Sequence, residues 1–105
     1  MMSHAILWAV MIAECGRELA RIALPASPKR GQLPLRDLAS EGLRHDAAAL
    51  IVIRDAADDR CTPCAEELGA IRTARHTLGA IGLRLHDYIL WHQERSVSLR
   101  ATGRL

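Results

Sequence analysis

Two cysteines, Cys61 and Cys64, stand two residues apart, the spacing of half a zinc site or of a redox-active thiol pair. Pro63 lies between them, at a predicted helix start where the helix dipole favours a thiolate. No second ligand pair with matching spacing follows, because His76 and His86 are single histidines on different predicted elements. The pattern favours two ordinary cysteines flanking a helix start over a metal or redox site.

Acidic and histidine side chains offer two further kinds of chemistry. Asp55, Asp58 and Asp59 cluster in a predicted loop and could attract a hard cation. A calcium loop needs a glycine and a distal glutamate at fixed positions, and this loop has neither, so a solvated acidic turn is favoured. His45 and His92 could act in acid–base chemistry, but the sequence offers neither of them a partner. We interpret both as histidines at the ends of elements.

The length and the net charge of the chain limit which classes of protein it can belong to. The chain of 105 residues predicts a single domain over 1–105. A net charge of +2 from mixed signs does not indicate a nucleic-acid or membrane partner. Three cysteines are an odd count that favours a reducing compartment. The apolar run Ala5–Ala13 is too short to span a membrane, and Glu14 disfavours a signal peptide, so we predict a cytoplasmic protein.

The elements that must position these residues follow from the apolar patterns. Alternation and short apolar runs predict strands, and three- to four-residue spacing predicts helices. The second helix is predicted to start at Thr62 as its cap, and the central strand to stop where Arg54 opens a polar loop. The order β-β-α-β-α-β-β indicates an α+β fold with a mixed β-sheet flanked by two helices. The predicted strands are 6–13, 19–24, 48–53, 83–91 and 97–99, and the predicted helices run from 34 to about 45 and from 62 to about 81.

The predicted core is aliphatic, because the chain has no phenylalanine. Trp8 and Trp91 are expected inside it. Each helix presents one apolar stripe toward the sheet. These stripes comprise Leu35, Leu38, Ala39 and Leu43 in the first helix, and Leu68, Ile71, Ala74, Leu78 and Ile81 in the second.

Several short strings in this order resemble the RadC family, a bacterial branch of the JAB/MPN (JAMM) metalloprotease-like domains. The resemblance runs from about Pro34 to the last residue. It implies a three-layer, cytidine-deaminase-like architecture for the mixed sheet and its two helices. The matching strings are Asp46–Ile53, which is similar to the family's strand before its first ligand, Thr62-Pro63, Leu85–Leu90, Ser96–Arg100 and Gly103–Leu105.

The departures from the family's motif concern its metal ligands. The resemblance implies that Arg54 and Ala56 stand where the family has two zinc-binding histidines. Cys64 stands at the position of a serine, and Glu67 at that of the ligating aspartate. Tyr88 replaces a histidine of the family. Alanine offers no ligand atom and arginine is a permanent cation, so these vestigial positions predict a degenerate site without a metal cofactor, and they identify no catalytic residue.

Three hypotheses follow. The first is a non-catalytic RadC-like domain that acts as a binding or scaffolding module for an unknown protein partner, with homo-oligomerisation possible. The alternative is a zinc-dependent hydrolase with non-standard ligands, namely Cys61, Cys64 and Glu67, and His45 or His76 in addition. A DNA-associated, repair-type role is suggested by the family's traditional label and is disfavoured by the balanced charge.

Overall fold

The computed structural model describes residues 6–25, 33–56 and 62–105. Five strands and two helices follow one another in the predicted order. The bounds are β1 Ile6–Ile12, β2 Glu18–Pro25, α1 Leu35–Arg44, β3 Ala49–Asp55, α2 Ala65–Ala80, β4 Arg84–His92 and β5 Arg95–Ser98. The predicted α+β class and the mixed sheet flanked by two helices are confirmed.

The strands form one sheet in the order β2-β1-β3-β4-β5. Strand β1 pairs antiparallel with both β2 and β3, β3 pairs parallel with β4, and β4 pairs antiparallel with β5. The β1–β2 hairpin closes through Gly16, whose φ of +92° is easily reached only without a side chain.

Both helices lie on one face of the sheet. The connections β2–α1–β3 and β3–α2–β4 join parallel strands and move across the sheet in the same direction. Right-handed crossovers of this kind place both helices on the same side. The main core agrees, because it joins Leu38 of α1 and Ile71 of α2 to the side chains of one sheet face only. The described residues therefore build a sheet with both helices on one of its faces.

The two tryptophans lie on the opposite sheet face, and the prediction that they are core residues is wrong. Trp8 is 43% exposed and Trp91 is 47% exposed. Side chains alternate between the two faces of a strand, and the neighbours Leu7 and Leu90 take the buried side. An apolar run does not by itself show which of its two faces is covered.

The helix stripes are confirmed in their centres and wrong at their C-terminal ends. Leu38, Ile71, Ala74 and Leu78 are buried as predicted, but Leu43 is 65% exposed and Ile81 is 47% exposed. In α1 the inward position belongs to Gly42, which packs against the Leu83 side chain so closely that a Cβ there would lie 2.3 Å from it. Ile81 is already the C-cap of α2, and Gly82 continues with φ of +82°.

Neither helix begins where the sequence predicted. Pro34 is the N-cap of α1 rather than its first residue. In α2 the cap is Cys64, while Thr62 is exposed and precedes it. Both starts are therefore later than predicted, as is common at helix ends. Within the described part of the chain, no helix has the length and apolar character needed to cross a membrane.

Candidate functional site

Arg54 lies within strand β3, and the predicted break before it is wrong. Its backbone pairs with Leu7 on β1 and with Leu90 on β4. A strand held between two neighbours continues regardless of side-chain polarity, because its backbone groups are paired on both sides. Leu50, Val52 and Arg54 alternate onto the face that carries the helices. The guanidinium is thereby aimed toward the N-terminal end of α2.

Ala56 follows the end of β3 and is completely buried. Its backbone N–H donates to the carbonyl of Trp91 at 2.7 Å, which extends the contact between β3 and β4 by one residue. The side chain is a single methyl group within the main core. The side chain at this position therefore contributes packing and no donor or acceptor atom.

Glu67 lies on the inward stripe of α2, four residues before Ile71, and only 4% of it is exposed. Arg54 meets it with a two-pronged contact: Nε donates to Oε2 at 2.5 Å and Nη2 donates to Oε1 at 2.7 Å. Planar guanidinium and carboxylate groups match in this geometry, which is the strongest form of ion pair in proteins. Arg54 retains 18% side-chain exposure, so the pair lies at the edge of the core.

Tyr88 completes this group from strand β4. Its hydroxyl donates to Oε2 of Glu67 at 2.7 Å, so this oxygen accepts from both neighbours. Burial raises the pKa of Tyr88 well above its usual range, and the Glu67 carboxylate beside it raises the pKa further. We refer to Arg54, Glu67 and Tyr88 as the ion-pair triad. Each comes from a different element, and the triad ties α2 to the sheet.

A local irregularity explains why the role of Tyr88 could not be found from alternation. The register between β3 and β4 shifts after Leu85, so that β4 carries one extra residue there. Leu85 and Tyr88 consequently both face the helices although they are three residues apart. Strict alternation from Leu85 would have placed Tyr88 on the opposite face.

Cys64 caps the helix that carries Glu67. Its Sγ accepts from the backbone N–H of Glu67 at 3.4 Å, which satisfies one of the free amides of the first turn. A thiol is a weak acceptor, so the contact orients the turn more than it stabilises it. Cys64 and Cys15 are free thiols. Cys61, Asp58 and Asp59 lie outside the described residues.

The histidines predicted as possible ligands or acid–base groups are dispersed. His45 lies 3.4 Å from Glu41 on its own helix, and His76 is exposed on α2. His92 lies 3.6 Å from Asp55 at the end of the sheet. Both contacts become ion pairs only when the imidazole is protonated.

A second buried carboxylate, Asp87, was not found by the sequence reasoning. It accepts from the backbone N–H groups of Tyr88 at 2.7 Å and Arg100 at 3.1 Å, and from the Ser98 hydroxyl at 2.5 Å. These partners lie on β4, on β5 and in the turn after β5. The carboxylate thus fastens the last hairpin and the C-terminal turn.

The side chains at the vestigial positions do not fit a catalytic zinc ion. Such an ion takes about three protein ligands and keeps one position for water. Both oxygens of Glu67 already accept hydrogen bonds from a guanidinium, and Ala56 has no ligand atom. Within residues 6–25, 33–56 and 62–105, no group of three or more His, Cys, Asp or Glu side chains is arranged to hold a metal.

Sequence comparison with known proteins identifies the family of this chain. The family model described as "RadC-like JAB domain" matches residues 26–104. A UPF0758 protein of Rhodobacter capsulatus is 33% identical over 70 residues, which cover 67% of this chain and 33% of that protein. A UPF0758 protein of Bordetella pertussis is 32% identical over 76 residues, covering 72% of this chain and 34% of its own length. The chain spans about a third of the length of these curated relatives. It belongs to the RadC-like JAB domain family.

Proposed function

We propose that this RadC-like JAB domain is non-catalytic and acts as a binding or scaffolding module, with an internal ion pair at the position of the family's metal. The observation that carries the proposal is the contact between Arg54 and Glu67. Arg54, at the position of the family's first histidine ligand, is a cation. Glu67, at the position of the ligating aspartate, is the anion that neutralises it.

Electrostatics explains how an arginine in place of a metal ion keeps the fold intact. A buried carboxylate without a cation is unfavourable, whether that cation is a metal or a side chain. In this chain the guanidinium takes over the neutralising role, and the Tyr88 hydroxyl supplies a further hydrogen bond. The frame of strand, loop and helix is thereby retained without an ion. Arginine does not lose its charge at any physiological pH, so a divalent cation would meet repulsion at this position.

The proposed partner is a protein. A net charge of +2 gives little attraction for a polyanion. A DNA-binding titration at rising salt concentration tests this choice, because phosphate contacts would produce an affinity that falls steeply as salt increases. Measurable, salt-sensitive binding would favour the DNA-associated hypothesis.

One observation favours the competing zinc-hydrolase hypothesis. Cys64 and Glu67 share the first turn of α2, where the thiol accepts from the Glu67 amide at 3.4 Å. With Cys61 they would make an unconventional thiolate–carboxylate set. Our proposal predicts instead that Cys64 is only a cap and that no zinc is held.

The metal content of the full chain, purified without added zinc, separates the two hypotheses. We expect far less than one zinc per chain by inductively coupled plasma mass spectrometry. The informative variant is Cys64→Ala, and Cys15→Ala is the matched control, because Cys15 is an exposed thiol in the β1–β2 turn. Stoichiometric zinc that is lost in Cys64→Ala and retained in Cys15→Ala would overturn the proposal.

A further inference from the structure

The sheet face opposite the helices carries an acidic residue on the strand between its two tryptophans. Alternation along β3 places Asp55 on this face, because the next residue, Ala56, is buried in the core on the helix side. Asp55 is in register with Trp91 on β4, and it lies two positions beyond Ile53, the partner of Trp8 on β1. Adjacent strands are about 4.8 Å apart and diagonal neighbours about 7–8 Å, within reach of aromatic side chains. We call Trp8, Asp55 and Trp91 the Trp–Asp cluster.

All three side chains of the Trp–Asp cluster are accessible to solvent. Trp8 is 43% exposed, Trp91 is 47% exposed, and the Asp55 side chain is 49% exposed. This exposure is present although Asp55 also lies 3.6 Å from His92 at the end of the sheet. An indole attracts a cation through its electron-rich face, and a carboxylate attracts it through its charge. The cluster therefore combines two kinds of group that bind a cation.

Other charged side chains on this face are occupied or distant. The Asp87 carboxylate accepts three hydrogen bonds from β4, β5 and the turn after β5. Arg21 makes its two-pronged contact with Glu18 on its own strand. Arg84 lies at the opposite end of the sheet, in register with Ala49. The Trp–Asp cluster is therefore the corner of this face where an incoming cation meets an exposed carboxylate beside aromatic surface.

The size of the face limits the kind of occupant. The two tryptophans and the isoleucines between them lie on three neighbouring strands, β1, β3 and β4. Three strands about 4.8 Å apart, with about seven residues rising roughly 3.3 Å each, cover roughly 330 Å². A stable interface between two proteins buries about 800 Å² on each partner. The face is thus small for a contact between two whole domains, and it has the size that a short segment covers.

We propose that the Trp–Asp cluster receives an arginine side chain from a short segment of a partner protein. The inference rests on the proposed function, because it gives the chemistry of one contact that a binding module makes. A guanidinium stacks flat on an indole and donates two parallel hydrogen bonds to a carboxylate, and an ammonium group has neither property. Ile53 and Ile89 are half-buried and in register with Trp8, so they offer apolar surface to the methylene stem of the arginine.

A fluorescence titration with a small probe tests the proposal without knowledge of the partner. Both tryptophans of the chain belong to the cluster, so the intrinsic emission of the full chain reports its occupancy. The probe is acetyl-Gly-Arg-Gly-amide at low salt, and the control probe carries citrulline, a neutral side chain of the same shape. We expect a saturable change with a dissociation constant on the order of millimolar for the arginine probe and none for the citrulline probe. No saturable change, or an equal change with both probes, would overturn the proposal.

Variants of the cluster locate the binding. Asp55→Asn should raise the dissociation constant by about fivefold, the effect of one exposed ion pair. Trp91→Leu should raise it by a similar factor, the effect of one cation–π contact, with Trp8 left as the reporter. Asp37→Asn removes the same charge from an exposed aspartate on α1 and should leave binding unchanged. Circular dichroism establishes that each variant is folded. A folded Asp55→Asn chain that binds the arginine probe as tightly as the wild type would contradict the role of the carboxylate.

The arginine titration and the zinc measurement can fail separately. A chain without zinc that binds no arginine probe would refute the Trp–Asp cluster and leave the non-catalytic proposal standing. Stoichiometric zinc, lost in Cys64→Ala, would refute the non-catalytic proposal whatever the titration shows.

Discussion

Replacing Arg54 by alanine removes the cation from the triad and leaves the Glu67 carboxylate buried. Among the contacts of the described residues, the Glu67 carboxylate would keep the hydrogen bond from the Tyr88 hydroxyl. Breaking one side of a buried ion pair costs about 3–5 kcal/mol, most of it from the charge that remains without a partner. Because the Arg54 side chain is 18% exposed, water reaches part of the pair, and we expect a loss of about 3 kcal/mol in the free energy of unfolding.

The assay is urea unfolding monitored by circular dichroism at several pH values. A carboxylate held away from water without a cation favours its protonated form, so the folded variant binds this proton more tightly than the unfolded chain does. Stability of Arg54→Ala relative to wild type should therefore recover as the pH is lowered and worsen as it is raised. At neutral pH the loss should lower the thermal midpoint by on the order of 15 °C for a chain of this size.

A matched control lies on the protein surface. Arg21 makes the same two-pronged contact with Glu18, at 2.7 Å and 3.0 Å, but both side chains are exposed to solvent. Arg21→Ala should leave the unfolding transition unchanged, because exposed ion pairs contribute little. A pH-independent effect of Arg54→Ala, no larger than that of Arg21→Ala, would refute the reasoning that the triad is a buried, neutralised site.

Three further predictions concern the same fold. Tyr88 is the single tyrosine, and its raised pKa predicts that the folded chain shows no phenolate absorbance at 295 nm near pH 10, the usual pKa of a tyrosine, which is about 10. Above that pH the free energy of unfolding should fall, because the tyrosine of the unfolded chain releases its proton while the folded one does not. Gly42→Ala forces a Cβ against Leu83 and should cost about 1–3 kcal/mol, whereas Gly69→Ala, with open space around it, should stabilise α2 by about 0.5–1 kcal/mol in the same unfolding assay. Asp87→Ala leaves two backbone amides and a hydroxyl without their acceptor, and faster hydrogen exchange of the Arg100 amide should reveal the loosened C-terminal turn; unchanged exchange would contradict this role.

The sequence predicted the order of the elements because each carries a clear apolar period. A short uniform apolar run such as Leu50–Ile53 indicates a strand, and the three- to four-residue spacing in α2 indicates a helix. The same patterns say little about which side of a sheet is covered. The exposure of Trp8 and Trp91 follows from the direction of two crossovers, a property of the whole topology rather than of any local segment.

The sequence singled out individual residues of the candidate site but did not indicate which of them contact one another. The resemblance to the family placed Arg54, Ala56, Cys64 and Glu67 at the vestigial positions. That Arg54 would pair with Glu67 depends on a strand that continues past the apolar run and on a helix that begins after Cys64. Tyr88 joins them only because β4 carries an extra residue, for which the sequence offers no local signal.

The two groups of the ion pair come from the opposite ends of one connection, the one between β3 and α2. Arg54, the cation, lies near the end of strand β3, and Glu67, the anion, lies in the first turn of α2. The residues that precede and follow them, such as Val52 and Ile71, remain ordinary core. The buried carboxylate of α2 is therefore neutralised by a side chain of the neighbouring strand.

The central claim is that a side chain, and not a metal, neutralises Glu67. Thermal unfolding in the presence of a chelator or of zinc tests this claim most directly. A metal held by the folded chain would stabilise it in proportion to the logarithm of its concentration over the dissociation constant. The account predicts the same midpoint in excess EDTA and in the absence of chelator, and no rise when stoichiometric zinc is added. A midpoint that falls in EDTA and returns with zinc, in the wild type but not in Glu67→Gln, would contradict it.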